Sequence, residues 1–344
     1  MIDNMNRLAI IVLNWNGADD TLNCVESLQQ QTLRPEIIIV DNNSSDDSVE
    51  RFEDHIKSQK KDAPILIKNS QNLGFAGGIN TGLIYAKEHN FEYIGVLNPD
   101  AIANKKWCRT LVDELSTHLD CGIATGIMQR HDGKTLDTTG DFYTTWGLPG
   151  PRNRDEPVEN APSKPGEVFG ATGGGAIYRA AIFDDIDMFD EDFFMYYEDV
   201  DLSFRAQLAG WKVRFTPEAI AYHKVGASSK KVPGLAVYNT FKNLPLVFIK
   251  NVPRQLFWYI GIRFFLTYWL IFASAVRHGN GWPAFKGMLA SIIRKPAAYH
   301  KRWSIQKNRK VPVDYIRSII HSGPLPNQTG LLKFRKFFIR NNNE

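Results

Sequence analysis

The apolar positions of the first 130 residues fall in short runs of strand length, and each run closes on polar or glycine-containing residues. Leu8–Leu13 (LAIIVL), Glu36–Val40 (EIIIV), Ile65–Lys68 (ILIK) and Tyr93–Leu97 (YIGVL) predict four strands. The stretches between them, Asp19–Gln31, Asp47–Gln59 and Ala76–His89, read as helices. Strands alternating with helices predict an α/β fold whose mostly parallel sheet carries helices on both faces. Ligands of such sheets bind beyond the carboxyl ends of the strands. Those ends carry Asn14-Trp15-Asn16, Asp41-Asn42-Asn43 and Asn98-Pro99-Asp100.

Further along, residues 131–168 lose any regular period and are rich in Pro, Gly and charge, which reads as an excursion from the sheet or a mobile loop. Gly166–Ala180 reads as a glycine-rich turn followed by a short strand. A helix is predicted from about Val200 to Ala209, because Val200, Phe204 and Leu208 share one face, and Gly210 stands where a helix ends. Gln255–Val276 is then almost wholly apolar and aromatic. A bilayer is crossed by ~20 apolar residues, so the length permits a span, but Arg263 inside it makes a span costly by ~2.5 kcal/mol or more. Trp258, Tyr259, Tyr268 and Trp269 are types favoured at a water–lipid boundary. The reading is of interfacial or shallowly inserted helices; a true span and a buried core helix or oligomer contact are the alternatives.

Composition adds two things. The 344 residues, 43% hydrophobic and 23% charged, describe a folded chain with room for one large α/β domain and an appendage. The net charge of +4 conceals an asymmetry: residues 277–344 hold 14 Lys/Arg against Asp314 and Glu344, or +12, leaving −8 for the first 276. A basic tail beside an aromatic run points to a membrane as its anionic partner in preference to nucleic acid. Cys24, Cys108 and Cys121 are odd in number and show no C-x-x-C spacing, so reduced thiols in a cytosolic compartment are expected, not disulfides or structural zinc. The apolar run at Leu8–Leu13 is too short for the core of a signal peptide.

Five positions along the chain carry candidate chemistry. Asp41, ending the second strand, can accept hydrogen bonds from a nucleobase or ribose; equally, Ser44 or Ser45 before Asp46-Asp47 suits a helix start. Asn72-Leu73-Gly74-Phe75-Ala76-Gly77-Gly78 runs into a helix whose N-terminus favours phosphate, yet matches neither an ATPase nor a dinucleotide fingerprint, and a tight turn alone would also use it. Asp100, on a proline-stiffened turn, can hold Mg²⁺ or Mn²⁺ against a diphosphate, or simply cap the turn. In Glu198-Asp199-Val200-Asp201-Leu202 three acids share a helix start, where a cation or a capping role would balance them. Asp201 and Arg205 look like a helix-surface ion pair, which leaves Glu198 and Asp199, and a positioned carboxylate can take the proton of an attacking hydroxyl. His223, after the strand-like Ala219–Tyr222, is either structural or a neutral imidazole ligand returned to the same pocket.

Taken in order, Ile11-Val12-Leu13-Asn14-Trp15-Asn16, Val40-Asp41-Asn42-Asn43-Ser44, Asn72–Gly78, Asn98-Pro99-Asp100 and Glu198–Leu202 resemble the motifs of family 2 glycosyltransferases, most nearly bacterial rhamnosyltransferase-like members, over about residues 8–230. The resemblance implies a GT-A fold over residues 1–235, with a donor-binding half (1–130) and an acceptor and catalytic half (131–235), followed by an apolar, basic, helical and membrane-associated region (236–344). It implies that Asn14, Asp41, Asn42, Asn72, Asn98 and Asp100 bind the nucleotide-sugar, and that Asp100 and His223 hold the metal. It makes Asp199 the catalytic base, with Gly174, in the Gly173-Gly174-Gly175 turn, Glu198 and Trp211 on the acceptor side. One departure is that Asn98 occupies the first position of the family's D-x-D and contributes no charge. The implied reaction is inverting transfer from a dTDP- or UDP-linked donor, dTDP-L-rhamnose first, to a glycan or lipid-linked acceptor in surface polysaccharide synthesis at the cytoplasmic face of the membrane. Two rivals remain. A sugar-phosphate nucleotidyltransferase would want a basic triphosphate loop that Asn14–Asp19 lacks, and a non-catalytic, membrane-bound nucleotide-sugar-binding or scaffold protein, its metal site decayed at Asn98, is opposed by the intact Asp100, Asp199 and His223.

Overall fold

The four predicted strands form the parallel part of one sheet in the computed structural model of the chain, which describes residues 7–59, 62–224 and 232–323. In chain order the first half runs β1 (Leu8–Asn14), α1 (Ala18–Gln29), β2 (Glu36–Asp41), α2 (Ser48–Ser58), β3 (Ile65–Lys68), α3 (Gly74–Glu88), β4 (Tyr93–Leu97), β5 (Ala101–Ala103) and α4 (Trp107–Thr117). Side chains alternate across a strand, and both faces are apolar here. Ile10, Val12, Ile37 and Ile39 pack on α1 and α4, while Ala9, Ile11, Ile38 and Val40 pack on α3. Helix α3 lies close to the sheet because it presents glycines: a Cβ on Gly82 would stand 2.8–3.0 Å from the Ile11 side chain. The three cysteines are free and buried in the cluster under α1 and α4, and burial pushes all three thiols up.

The chain continues with β6 (Cys121–Arg130), β7 (Leu136–Thr138), β8 (Asp141–Tyr143), β9 (Pro149–Pro151), β10 (Gly166–Val168), β11 (Gly175–Arg179), α5 (Ile182–Ile186), α6 (Glu198–Leu208) and β12 (Lys212–His223). The sheet order is β10-β12-β6-β11-β4-β1-β2-β3, with β5 on β12 and β7 on β6. β11 is antiparallel to both β4 and β6, and β12 runs parallel to β6. Residues 131–168 are therefore not a mobile loop. β7 extends the sheet, β8 and β9 make a hairpin, and β10 lies on the edge. Runs of three residues are too short to show a period, which is why the sequence conceals them.

Helix α6 is buried on two sides. Leu202 and Ala206 face the sheet, and the predicted stripe Val200, Phe204 and Leu208 enters a separate core with α7 (Leu235–Asn251), α8 (Arg254–Arg277), α9 (Gly281–Lys307) and α10 (Val313–Ile319). α7 starts at Leu235, and α6 and α7–α10 share that core. The Asp201–Arg205 pair exists at 2.9 Å, but it is not on the surface: α7 covers it, and Lys250 and Asn251 each reach Asp201 at 2.8 Å. α8 turns Leu256, Ile260, Phe264 and Tyr268 inward and leaves Trp258, Ile262, Phe265 and Leu266 exposed. On α9, Trp282, Leu289, Ile293 and Trp303 are exposed as well. Among the described residues α8 is the one helix long and apolar enough to cross a membrane. The part of the expected membrane-associated region at 324–344 lies outside the described residues.

Candidate active site

Three strands deliver polar residues to one rim of the sheet. β4 ends in the Asn98-Pro99-Asp100 turn, and the last residue of β12, His223, pairs in register with Ala101 just beyond it. Asp100 Oδ1 and His223 Nε2 stand 3.0 Å apart, with the Asn98 amide 3.2 Å from the same nitrogen. On the far side of the ring Nδ1 lies 2.8 Å from Asp137, whose other oxygen pairs with Arg154 at 2.9 Å. Burial opposes charging His223, but hydrogen bonds to Asp100 and Asp137 outweigh it and push its pKa up to about 9. Burial would likewise raise Asp137, yet the His223 bond and the Arg154 charge prevail and hold it low. Among the described residues no group of three or more Asp, Glu, His or Cys side chains is arranged to hold a metal ion by itself. Asp100 and His223 offer an oxygen and a nitrogen side by side, a donor set that suits Mg²⁺ or Mn²⁺ completing its shell with phosphate oxygens and water.

Asp199 reaches this rim from α6. Its Oδ2 accepts from the Gly173 N–H and its Oδ1 from the Val200 N–H, both at 2.8 Å. Gly173 and Gly174 lead into β11, where the Asn98 N–H donates to the Gly174 carbonyl at 2.9 Å. Both glycines are closely packed: a Cβ on Gly174 would sit 2.9 Å from Asn98 Nδ2 and displace that amide, and one on Gly173 would press on Asp199 at 3.2 Å. A chain of contacts thus runs from Asp199 through the two glycines to Asn98, His223 and Asp100. Burial raises the Asp199 carboxyl, and the backbone N–H groups hold it back. Glu198 is raised well above the carboxylate range, first by burial and then by Asp199, and its Oε2 has no hydrogen-bond partner. Sequence reasoning missed Asp141, which is raised in the same way by burial and by the charge of Asp199. Both Asp137 and Asp141 lie on the three-residue strands that showed no pattern.

The rim beyond β1 and β2 is a network of amides and hydroxyls. Asn14 donates to Asp41 at 2.8 Å and to Ser44 at 3.0 Å, and the Ser44 N–H closes on the other Asp41 oxygen at 2.9 Å. Ser44 is therefore turned toward Asp41 and does not cap α2, which starts later, at Ser48. Asn42 donates to Asn72 Oδ1 and to the Gly74 carbonyl, both at 3.0 Å, and so fastens β2 to the glycine-rich start of α3. The structure thereby joins Asn14 to Asp41 and Asn42 to Asn72, and gathers Asn98, Asp100, Gly174, Asp199 and His223 beside them on the same rim. Trp211 does not belong with them. It precedes β12, donates to Asp185 at 2.8 Å and packs over Gly122 at the opposite rim. The strand it opens runs beside β6 from Cys121 to Arg130 before it reaches His223, so the two lie roughly 30 Å apart at ~3.3 Å per residue of β6.

Solved structures share this fold, of GT-A type. GalNAc-T7 with UDP, GalNAc and Mn²⁺ superposes with a TM-score of 0.59 at 16% identity over 72% of this chain, which spans 48% of that one. The mannosyltransferase PcManGT from Pyrobaculum calidifontis, in complex with GDP-Man and Mn²⁺, gives 0.51 at 14% identity, over 91% of this chain and 78% of that one. The sequence profile of glycosyl transferase family 2 matches residues 9–187, just over half of the chain, and the protein belongs to that family. It is 26% identical over 73% of its length to the low-salt glycan biosynthesis hexosyltransferase Agl10 of Haloferax volcanii, of which it covers 79%. It is 23% identical over 66% of its length to the N-acetylglucosaminyl-diphospho-decaprenol L-rhamnosyltransferase of Mycobacterium tuberculosis, of which it covers 78%. The protein is a glycosyltransferase.

Proposed function

We propose that the chain is an inverting transferase that moves a sugar, with L-rhamnose from dTDP-L-rhamnose as first candidate, onto a hydroxyl of a glycan or lipid-linked acceptor at the cytoplasmic face of a membrane. The observation that carries the reading is the convergence of Asp199, Asn98, Asp100 and His223 on one rim. The likeness to a decaprenol-linked rhamnosyltransferase supports the sugar and the lipid-linked acceptor.

In this reading Asp41 and Asn42 shape the base and ribose end, with Asn14 and Asn72 holding them in place. Asp100 and His223 hold Mg²⁺ or Mn²⁺, which when bound neutralises the charge of the departing nucleoside diphosphate. Asn98 adds an uncharged donor beside them. Asp199 takes the acceptor proton as the hydroxyl attacks from the face opposite the leaving group, and so the anomeric centre inverts. Its partial burial favours proton uptake, and the Gly173 N–H fixes its direction. Glu198, whose carboxyl burial pushes upward, forms part of the acceptor wall. The rigid strand ends align donor and base, which supplies much of the rate by orientation.

Membrane association rests on the exposed apolar strip of α8 and α9. Cations interleave with its aromatics: Arg263 lies 3.9 Å from the Tyr259 ring centre, Lys286 5.4 Å from Trp282 and Lys307 4.8 Å from Trp303. Because the opposite side of α8 is packed into the protein, we place the helix on an anionic bilayer surface and not across it.

A panel of dTDP- and UDP-sugars, read as thermal stabilisation with and without Mn²⁺ and then as turnover, tests the assignment. Asp199→Asn is expected to keep donor binding and lose transfer by ~10²–10⁴-fold, and Asp100→Ala to weaken Mn²⁺-dependent donor binding. Wild-type turnover by Asp199→Asn would remove the base from the scheme.

A further inference from the structure

The loop that delivers Asp199 has an unusual backbone. Phe194, Tyr196 and Tyr197 take φ values of 63°, 68° and 72°, the left-handed region that side-chain-bearing residues avoid, and Tyr197 is the residue from which α6 starts. Conformations of this kind persist only where the surroundings hold them. The holding groups come from α7. Asn243, fully buried, donates its Nδ2 to the carbonyls of Phe193 and Met195 at 3.0 Å each and of Tyr196 at 2.8 Å. Its neighbour Lys242 donates to the carbonyls of Asp192 and Phe193 at 3.1 and 3.0 Å. On its other side the loop meets the nucleotide end of the rim, because the Phe194 carbonyl accepts from the Ala76 N–H at 3.1 Å. Gly74, with φ of 71°, leaves the space in which that carbonyl and ring sit.

We infer that Asn243 is a positioning residue for the reaction: its amide clamps the left-handed loop so that α6 begins where Asp199 meets the Gly173 N–H. The chemistry allows few substitutes. Three carbonyl oxygens converge on one nitrogen, so the position calls for a hydrogen-bond donor, and a carboxylate there would face three like partial charges. The clamp comes from a helix outside residues 9–187, so the C-terminal helices complete the catalytic half as well as covering it.

The inference rests on Asp199 being the base, and the test separates the two. Asn243→Ala, Asn243→Asp, Asn243→Gln, Asp199→Asn and the core control Leu244→Ala are compared in the full chain. The readouts are Mn²⁺-dependent binding of dTDP and UDP, release of nucleoside diphosphate from the panel's best donor, and thermal unfolding. A misplacement of about an ångström at a reacting group costs ~10²-fold, so Asn243→Ala and Asn243→Asp are expected to lose kcat on that order while nucleotide affinity holds. Asn243→Gln, which keeps the donor, is expected to recover part of the loss. Leu244→Ala should lower the melting temperature without a comparable fall in kcat. Wild-type kcat in Asn243→Ala, or a loss in Leu244→Ala as large at equal destabilisation, overturns the clamp. Should Asn243→Ala fail to fold, Asn243→Leu and Asn243→Asp, which both remove the amide donor, carry the same comparison, and wild-type kcat in both overturns it too. If Asp199→Asn instead retains turnover, the base assignment falls, whatever the Asn243 variants do.

Discussion

His223 joins two carboxylates, and that placement ties stability, and metal binding in the proposed site, to pH. Its folded pKa, about 9, lies above the ordinary value of 6.5. The stabilisation from its charged form is therefore complete below about 6.5 and is lost as pH rises through about 9. Urea midpoints of the metal-free protein between pH 6 and 10 should fall across that window, and His223→Gln should flatten the fall. A cation needs the neutral ring nitrogen, so Mn²⁺ affinity should climb with pH over the same range, with a proton released on binding at pH 7. Asp137→Asn, which removes the partner that orients the ring, should lower Mn²⁺ affinity about 10–100-fold by titration. At this scale the sequence was legible where a polar residue ends a recognisable strand, as with Asp41, Asp100 and His223. It was silent on Asp137 and Asp141, whose strands are too short to show alternation. It also misplaced Trp211, because nearness in the chain to α6 does not reveal which rim of the sheet a strand starts from.

Elements carry their own constraints. In α3, alanine at position 82 should improve helix propensity by ~1 kcal/mol, yet the added Cβ meets Ile11 at 2.8–3.0 Å. Overpacking of this kind costs ~1–3 kcal/mol, so Gly82→Ala is expected to destabilise on balance, read from denaturant unfolding. In α6, Phe204 is fully buried between Tyr143 and Phe169, with ring centres 5.1 Å away in each case. Phe204→Ala should cost ~3–5 kcal/mol. The stripe that contains Phe204 was plain in the sequence. The second buried stripe was not, because Asp201 and Arg205 on it resemble a solvated pair until Lys250 and Asn251 arrive from a helix far along the chain.

For the whole molecule, the basic tail was legible as a sum but not in its division of labour. Arg294 pairs with Asp192, Lys301 with Asp190 and Asp192, and Lys310 with Asp185, so part of the charge fastens the C-terminal helices to the catalytic half. Binding to anionic vesicles should accordingly depend more on the exposed apolar strip than the charge count implies. Replacing Trp258, Ile262 and Phe265 together by Ser should release the protein in vesicle sedimentation while leaving its fold intact, whereas cutting the chain at residue 255 should unfold it by removing half of a shared core. The burial of all three thiols has a practical side. Alkylating reagents should find nothing to modify until the fold opens, so a single cysteine introduced at position 258 or 293 would be labelled against a blank background. A polarity-sensitive dye attached there would report how deep each helix settles among the headgroups, while reaction of the native thiols in the same sample would time the loss of the fold.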